Sequence, residues 1–372
     1  MINLFEPNVT NESLEILKEV FESKWLGRGE KVNEFEEKLA KFLRTDKENI
    51  GTIASCSDAI FGVLEILQLK ETDEIIIPSI SFPAIASAVI QTGAIPIIID
   101  INDSNANLSL NELKKNLTKN TRAVFITSYG GIPNDIEKIR EIVGDEVMIL
   151  EDSACSLGTF EQGIASGIKS DFACWSFDAM KLLTCGEGGA FYAKDKNVVN
   201  TLKEHFYLGL PASEKSGLDK AKSNGNWWEY QLNRTGRRSI FTNINASIGL
   251  PQLSKLDDVL TRKDEIRKQY IKGLDKNKII IMPQENSKTD YSNYFFTIEH
   301  KKRDELAKYL KSNGIYTSLR YQPLHQINIF KKYSKNCRNA EKFFEKSLNI
   351  PIHQNLTNDE VDYIIDKING FN

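Results

Sequence analysis

Cysteine pairs, one-signed charge, repeats and an amino-terminal apolar leader are all missing from this chain, and each absence removes a class of protein. The five cysteines (Cys56, Cys155, Cys174, Cys185 and Cys337) are odd in number, widely spaced and never form a CxxC pair. Neither a disulfide framework nor a zinc site is indicated, no metal is expected, and the thiols read as reduced and mostly buried. Forty-eight Lys and Arg stand against 51 Asp and Glu, with a formal net charge of −3 and the two signs interspersed. Without a basic stripe or tail, nucleic acid is not an expected partner. The start, Met-Ile-Asn-Leu-Phe-Glu-Pro-Asn, has neither a basic nor an apolar leader region, so the expected location is the cytoplasm.

One stretch, Ile75 to Ile99, carries no charge and is long enough to cross a bilayer. Pro78, Ser79, Ser81, Pro83, Ser87, Gln91, Thr92, Gly93 and Pro96 divide it into an apolar run, a small-residue helix and a second apolar run. It reads as a strand-helix-strand unit rather than a membrane span. No internal repeat or low-complexity segment is visible, and the polar stretch 213–226 reads as a mobile loop.

What is present is an ordinary globular composition: 372 residues, 41% hydrophobic, with two domains as the natural expectation. Apolar runs at Ile75-Ile76-Ile77, Pro96 to Ile99, Ala123 to Ile126, Val147 to Leu150 and Ala190 to Tyr192 alternate with amphipathic helices at Glu12 to Ser23, Val32 to Phe42 and Asp58 to Leu67. Continuous apolar strands between helices predict a mostly parallel sheet covered on both faces. From about Leu250 the texture becomes more polar: a helix Leu253 to Leu274, strands at Lys278 to Met282 and Tyr294 to Ile298, a helix Arg303 to Ser312 and a last helix after Thr357. This predicts a large α/β domain over 1–250 and a smaller α+β domain over 251–372, with a ligand at their junction.

The most informative residue is Lys181, in Trp175-Ser-Phe-Asp-Ala-Met-Lys-Leu-Leu-Thr-Cys-Gly-Glu-Gly-Gly-Ala-Phe191. Among Trp175, Phe177, Met180, Leu182 and Leu183, its amine is expected to be desolvated, with a lowered pKa that makes it a nucleophile toward a carbonyl. Twenty-nine residues upstream, the apolar strand Val147 to Leu150 delivers Glu151 and Asp152 at its carboxyl end. A lysine for an aldehyde and an aspartate for a pyridinium nitrogen are the two groups that pyridoxal 5'-phosphate (PLP) needs. The turn Ala54-Ser55-Cys56-Ser57-Asp58-Ala59 opens a helix after an apolar run, a form that either caps the helix or presents free N–H groups to a phosphate. Phe82 is placed either to stack on the cofactor ring or simply in the core, and the Ser176 hydroxyl is a candidate phosphate ligand.

The segments Trp25-Leu-Gly-Arg-Gly29, Asp73 to Phe82, Gly93 to Asp100, Tyr129-Gly130 with Pro133 and Asp135, Glu151-Asp-Ser-Ala154, Ser176-Phe with Lys181 and Gly186-Glu-Gly-Gly189, and Pro323-Leu-His325 resemble the DegT/DnrJ/EryC1/StrS family of sugar aminotransferases. The resemblance runs nearly end to end. It implies fold type I of PLP-dependent transferases: a three-layer large domain with a mostly parallel seven-stranded sheet, plus a smaller C-terminal domain. It also implies roles: Lys181 as Schiff-base lysine and proton shuttle, Asp152 on the pyridine nitrogen, Phe82 on the ring face, and Cys56, Ser57 and Ser176 around the phosphate. Trp25 and His325 would lie near the substrate. Members with histidine in place of that lysine are sugar dehydratases, so Lys181 favours transamination, from L-glutamate to a nucleotide-linked keto-deoxy sugar. The rival expectations are a dehydratase or other PLP enzyme of this fold, and a non-catalytic PLP-binding regulator.

Four residues at three sites depart from the family. Cys56-Ser57 replaces Gly-Thr; Cys155 replaces a glutamine near the ring hydroxyl; and Arg238 replaces an asparagine that reaches the neighbouring subunit's phosphate, leaving Arg238 to grip either that phosphate or the substrate's diphosphate. A homodimer with sites at the subunit interface is therefore expected. Trp227 and Trp228 either stack on a nucleotide base or sugar or fill a dimer contact. His205 and His353 read as structural.

Overall fold

The computed structural model describes residues 1–211, 226, 228, 229, 232, 234–282 and 289–371. The polar stretch expected to be a mobile loop lies outside these residues apart from Asn226, as does Trp227. The strands are β1 (Ile50–Ile53), β2 (Glu74–Pro78), β3 (Ile95–Ile99), β4 (Thr121–Thr127), β5 (Met148–Asp152), the two-residue β6 (Phe160–Glu161) and β7 (Ile164–Ala165), β8 (Phe172–Ser176) and β9 (Gly189–Ala193). Seven of them form one sheet in the order β1-β9-β8-β5-β4-β2-β3. Its pairs are parallel from β8 to β3, while β9 runs antiparallel to both β1 and β8. This is the mostly parallel seven-stranded sheet expected.

Strand alternation sends successive side chains to opposite faces. Ile75, Ile77, Phe125, Leu150, Phe172 and Cys174 enter one core with α3 (Cys56–Ile66) and α4 (Ala84–Gln91), whereas Ala173, Trp175 and Ala190 enter another with α2 (Glu30–Leu43), against which α1 (Asn11–Ser23) packs Ile16. Ile76, Val124, Ile126 and Ile149 line a further cluster on the second face. The result is a helix-sheet-helix sandwich of three layers. The uncharged stretch 75–99 is β2, α4 and β3, and among the described residues no helix is long and apolar enough to cross a membrane.

The helix expected over Leu253 to Leu274 is two, Asn243–Ser254 and Leu256–Gly273, because Lys255 leaves helical geometry at φ −110°, ψ 11°. The first of them spans the position where the two domains were expected to divide. Beyond it, β10 (Ile280–Met282), β12 (Phe296–Glu299) and β13 (Ser347–Ile350) form a separate antiparallel sheet, and β11 (Thr289–Asp290) pairs with β6. Helices Arg303–Ser312 and Asn358–Gly370 cover the C-terminal sheet around Ile266, Tyr270, Phe296 and Ile298. β13 and the helix Arg338–Lys346 went unpredicted. The strand is short and half polar, and Asn349 is held by tertiary bonds with Thr297 and Arg320 that no local pattern announces.

Candidate active site

The carboxyl ends of β5 and β8, the amino end of α3 and the turn after Phe177 converge on one face of the sheet. The carboxyl edge of a parallel sheet is where such folds place their ligands. At α3, Ser55 caps the helix by accepting from the Asp58 N–H at 3.1 Å, and Asp58 is fixed in turn by Ser239 at 2.7 Å. The first-turn N–H groups of Cys56 and Ser57 have no intrahelical acceptor and carry the positive end of the helix dipole. A Cβ on Gly189 would lie 2.5 Å from the Cys56 nitrogen, so glycine is what lets β9 approach this turn. The turn can therefore both cap the helix and receive an anion. The Cys56 side chain does not join the anion site: its Sγ lies 3.5 Å from the Cys174 Sγ, inside the core.

Asp152, 4% exposed, ends β5 and accepts the Ala154 N–H through Oδ1 at 3.0 Å. Burial pushes its pKa up, against the lowering influence of that N–H and of Lys181. On the other face, the carboxylate of Glu151 accepts hydroxyls from Ser128, Ser153, Ser166 and Ser170 at 2.7 to 2.9 Å, which anchors the end of the strand.

Lys181 sits in a turn closed by Phe177 N–H to Gly188 carbonyl and Cys185 N–H to Phe177 carbonyl, both at 2.9 Å. Its Nζ lies 3.8 Å from the Cys155 Sγ and 4.8 Å from the centre of the Tyr294 ring. The expected apolar neighbours are not the ones that desolvate it, since Trp175, Phe177 and Leu183 belong to the core on the opposite side. The expected lowering of its pKa is also reversed. Burial alone would pull the amine down, but Cys155, Tyr294, Tyr321 and Asp152 lift it well above the ordinary lysine value. Burial also raises the Cys155 thiol and the Tyr321 phenol, and takes Tyr294 up to about 12. Of the four groups that lift the amine, Cys155 has the largest influence and Asp152 the smallest.

Phe82 is 48% exposed in the loop between β2 and α4, its ring edge-on to Tyr321 at 5.8 Å. Ser176, at the end of β8, accepts the Asp178 N–H at 3.4 Å, and among the described residues the Ser57 hydroxyl has no protein partner. Pro323-Leu-His325 is tied to the end of β2 by Leu324 N–H to Ser79 carbonyl at 2.8 Å. The His325 Nε2 is 3.3 Å from Glu341, and its buried Nδ1 has no partner.

The remaining candidates stand apart from this group. Trp25 is exposed and donates its indole N–H to the Arg28 carbonyl at 2.8 Å, and Arg28 is paired with the buried Glu36 at 2.8 Å. Arg238 is exposed, stacks over Tyr207 at 5.5 Å and forms no ion pair among the described residues, whereas its neighbour Arg237 is taken up by Glu65 and Asp58. Trp228 is exposed. The histidines read as structural have carboxylate partners: His205 with Glu65 at 2.6 Å, His353 with Glu6 at 3.7 Å. Sequence reasoning missed Tyr294 and Tyr321, whose one available signal is that each lies in or beside a segment already singled out. It also gave no role to Tyr129, whose hydroxyl donates to the Arg320 carbonyl.

Comparison with known proteins fits this geometry. The DegT/DnrJ/EryC1/StrS aminotransferase family matches residues 7–369. The chain is 35% identical to dTDP-4-dehydro-2,3,6-trideoxy-D-glucose 4-aminotransferase of Saccharopolyspora spinosa, over 99% of this chain and 96% of that one. GDP-perosamine synthase of Escherichia coli O157:H7 is 28% identical, over 100% and 98% of the two chains. The crystal structure of the aminotransferase TlmJ from Streptoalloteichus hindustanus superposes with a TM-score of 0.92 at 32% identity, covering 100% of this chain and 98% of the other.

Proposed function

The chain belongs to the DegT/DnrJ/EryC1/StrS aminotransferase family, and from that premise we propose that it is a PLP-dependent sugar aminotransferase moving an amino group from L-glutamate to a nucleotide-linked keto-deoxy sugar. The product would serve surface-polysaccharide or glycoconjugate synthesis. The observation that carries the reading is the amine of Lys181, 3.8 Å from the Cys155 Sγ and 4.8 Å from the centre of the Tyr294 ring, and under the electrostatic influence of Tyr321 and Asp152. The activities for which the Saccharopolyspora and Escherichia relatives are named, an amination at a dTDP-linked keto sugar and a GDP-perosamine synthesis, support the sugar half.

The residues present fit the cofactor. Asp152, with Oδ2 free of hydrogen bonds among the described residues, would hold the ring nitrogen; Phe82 offers an exposed ring face; and Cys56 N–H, Ser57 and Ser176 would hold the phosphate at the start of α3. PLP supplies an electron sink for a carbanion at the substrate carbon. Lys181 would hold the cofactor covalently until substrate displaces it, and its Nζ would then take the proton from the donor's α-carbon and return one to the sugar carbon. The alternating halves need one base that works in both directions, and among the described residues Lys181 has that position.

His325, Trp25 and Trp228 are assigned to the sugar nucleotide, and Arg238 to a phosphate of the cofactor or substrate across a subunit boundary. A homodimer would bury exposed apolar side chains such as Leu26, Met180 and Leu208. A cytoplasmic location fits five free cysteines.

The test is spectroscopic. PLP added to the purified protein should give a visible band that borohydride fixes to the chain, and Lys181→Ala should abolish that fixation and lower turnover by about 10²–10⁴-fold or more. L-Glutamate should bleach the band in favour of the amine form of the cofactor, and a keto-sugar nucleotide should restore it. A band that responds to no amino acid would overturn the aminotransfer assignment.

A further inference from the structure

Cys56, Cys174 and Asp152 lie together on the cofactor face of the sheet, their ligating atoms all within 4.8 Å of one another. They are 7%, 0% and 4% exposed. The fold makes the cluster by two independent routes. Parallel pairing of β5 with β8 sets Asp152 directly opposite Cys174, and α3 begins over the same face with the Cys56 thiol pointing inward. The two sulfurs are 3.5 Å apart. Two thiolates on one tetrahedral ion at about 2.3 Å each stand roughly 3.8 Å apart, so this pair needs to open only slightly to share a metal. Asp152 engages Ala154 through Oδ1, and Oδ2 is free to turn inward.

We propose that in the cofactor-free chain Cys56, Cys174 and Asp152 bind one thiophilic divalent cation, zinc or cadmium, and that this ion and the cofactor exclude each other because both need Asp152. The exclusion rests on the assignment of Asp152 to the cofactor's ring nitrogen; the metal site itself does not. On binding, two S–H bonds break, two metal–sulfur bonds and one metal–oxygen bond form, and two protons leave to solvent. Two thiolates, one carboxylate and a divalent ion sum to −1, and the neighbouring Lys181 ammonium balances that charge. The fourth tetrahedral position is left to water. Two soft donors select zinc-like ions over magnesium or calcium.

The experiment titrates cofactor-free protein, kept reduced, with Cd²⁺, following the ultraviolet thiolate-to-cadmium band, with Zn²⁺ as competitor. One ion per chain is expected, with about two protons released and affinity falling roughly 100-fold or more in Cys174→Ser or Cys56→Ser. Cys185→Ser, which alters a buried thiol of the opposite core, should leave the titration unchanged. Circular dichroism shows which variants are folded, and either cysteine variant alone suffices. Absence of the band, or a band that both variants retain, overturns the site. Protein loaded with PLP and fixed by borohydride should give no band, and Zn²⁺ should slow loading at least tenfold until a chelator is added. A band that persists in the fixed protein leaves the metal site standing and overturns the competition for Asp152.

Discussion

Whether the Lys181 amine can attack a carbonyl depends on its proton, and the groups that raise its pKa come from three other stretches of chain. Its pKa in the folded protein is raised by Cys155, Tyr294, Tyr321 and Asp152 against the opposing effect of burial. The protonated amine is not a nucleophile, so the free-base fraction grows about tenfold per pH unit below that pKa. The rate at which cofactor-free protein forms its borohydride-reducible adduct with PLP should therefore climb steeply from pH 6.5 to 8.5. Asp152→Asn removes the opposing charge and should shift the profile toward lower pH, even as it weakens the grip on the ring. Stopped-flow absorbance across pH checks both, and a flat profile in the wild type would contradict the raised pKa.

Among the elements, the close approach of β9 to the start of α3 is the feature most sensitive to a single atom. Gly189→Ala places a methyl group 2.5 Å from the Cys56 nitrogen. Overpacking of this kind costs about 1–3 kcal/mol, and here it also displaces the N–H groups assigned to the phosphate. Chemical denaturation should report that loss and equilibrium dialysis a faster-dissociating PLP. Gly27→Ala, where nothing lies within 4 Å, should change neither. A second expectation concerns the helix Leu256–Gly273, whose Lys263 is 3% exposed and donates to the Ile352 carbonyl at 2.8 Å. Burial lowers its pKa to about 7, below its unfolded value, and the titratable group beside it is His353, which Glu6 and Glu360 influence in turn. Between about pH 7 and 10 the unfolded chain binds a proton that the folded chain does not, so stability should rise with pH by up to about 1.4 kcal/mol per unit. Below pH 7 both states are protonated, and burial of the charge is at its most costly. Lys263→Met should remove the slope and gain most over the wild type at or below pH 7, measured by denaturation at several pH values.

Across the whole molecule, the site is closed by both parts of the chain: Lys181, Asp152 and Cys155 from the large sheet, Tyr294 and Tyr321 from the C-terminal region. A bound cofactor should therefore stabilise both parts together, by about 2.7 kcal/mol at a hundredfold excess over Kd. Calorimetry should show PLP moving one cooperative transition upward, and a separate transition that ignores PLP would contradict the shared site. The extent to which this was legible follows from range. The strands at Ile75, Ile97, Val124 and Ile149 announced themselves because fully buried parallel strands are apolar throughout, and Arg303–Ser312 because a surface helix repeats every 3.6 residues. Lys181 and Asp152 stood out because their own neighbours mark them, an apolar strand in one case and a glycine turn in the other. β13 was hidden by its polar half, and the break at Lys255 by an unbroken helical pattern. Composition and local spacing thus determined the layered fold and the two central residues, since those depend on short-range periodicity and covalent chemistry, while the family entered through the resemblance of its segments. Tertiary structure alone decided the proton on Lys181, the phenols and thiol around it, and the meeting of Cys56 with Cys174 across 118 residues. Electrostatics and ligation act through space at a few ångströms, and separation along a chain says nothing of that distance until the sheet has formed.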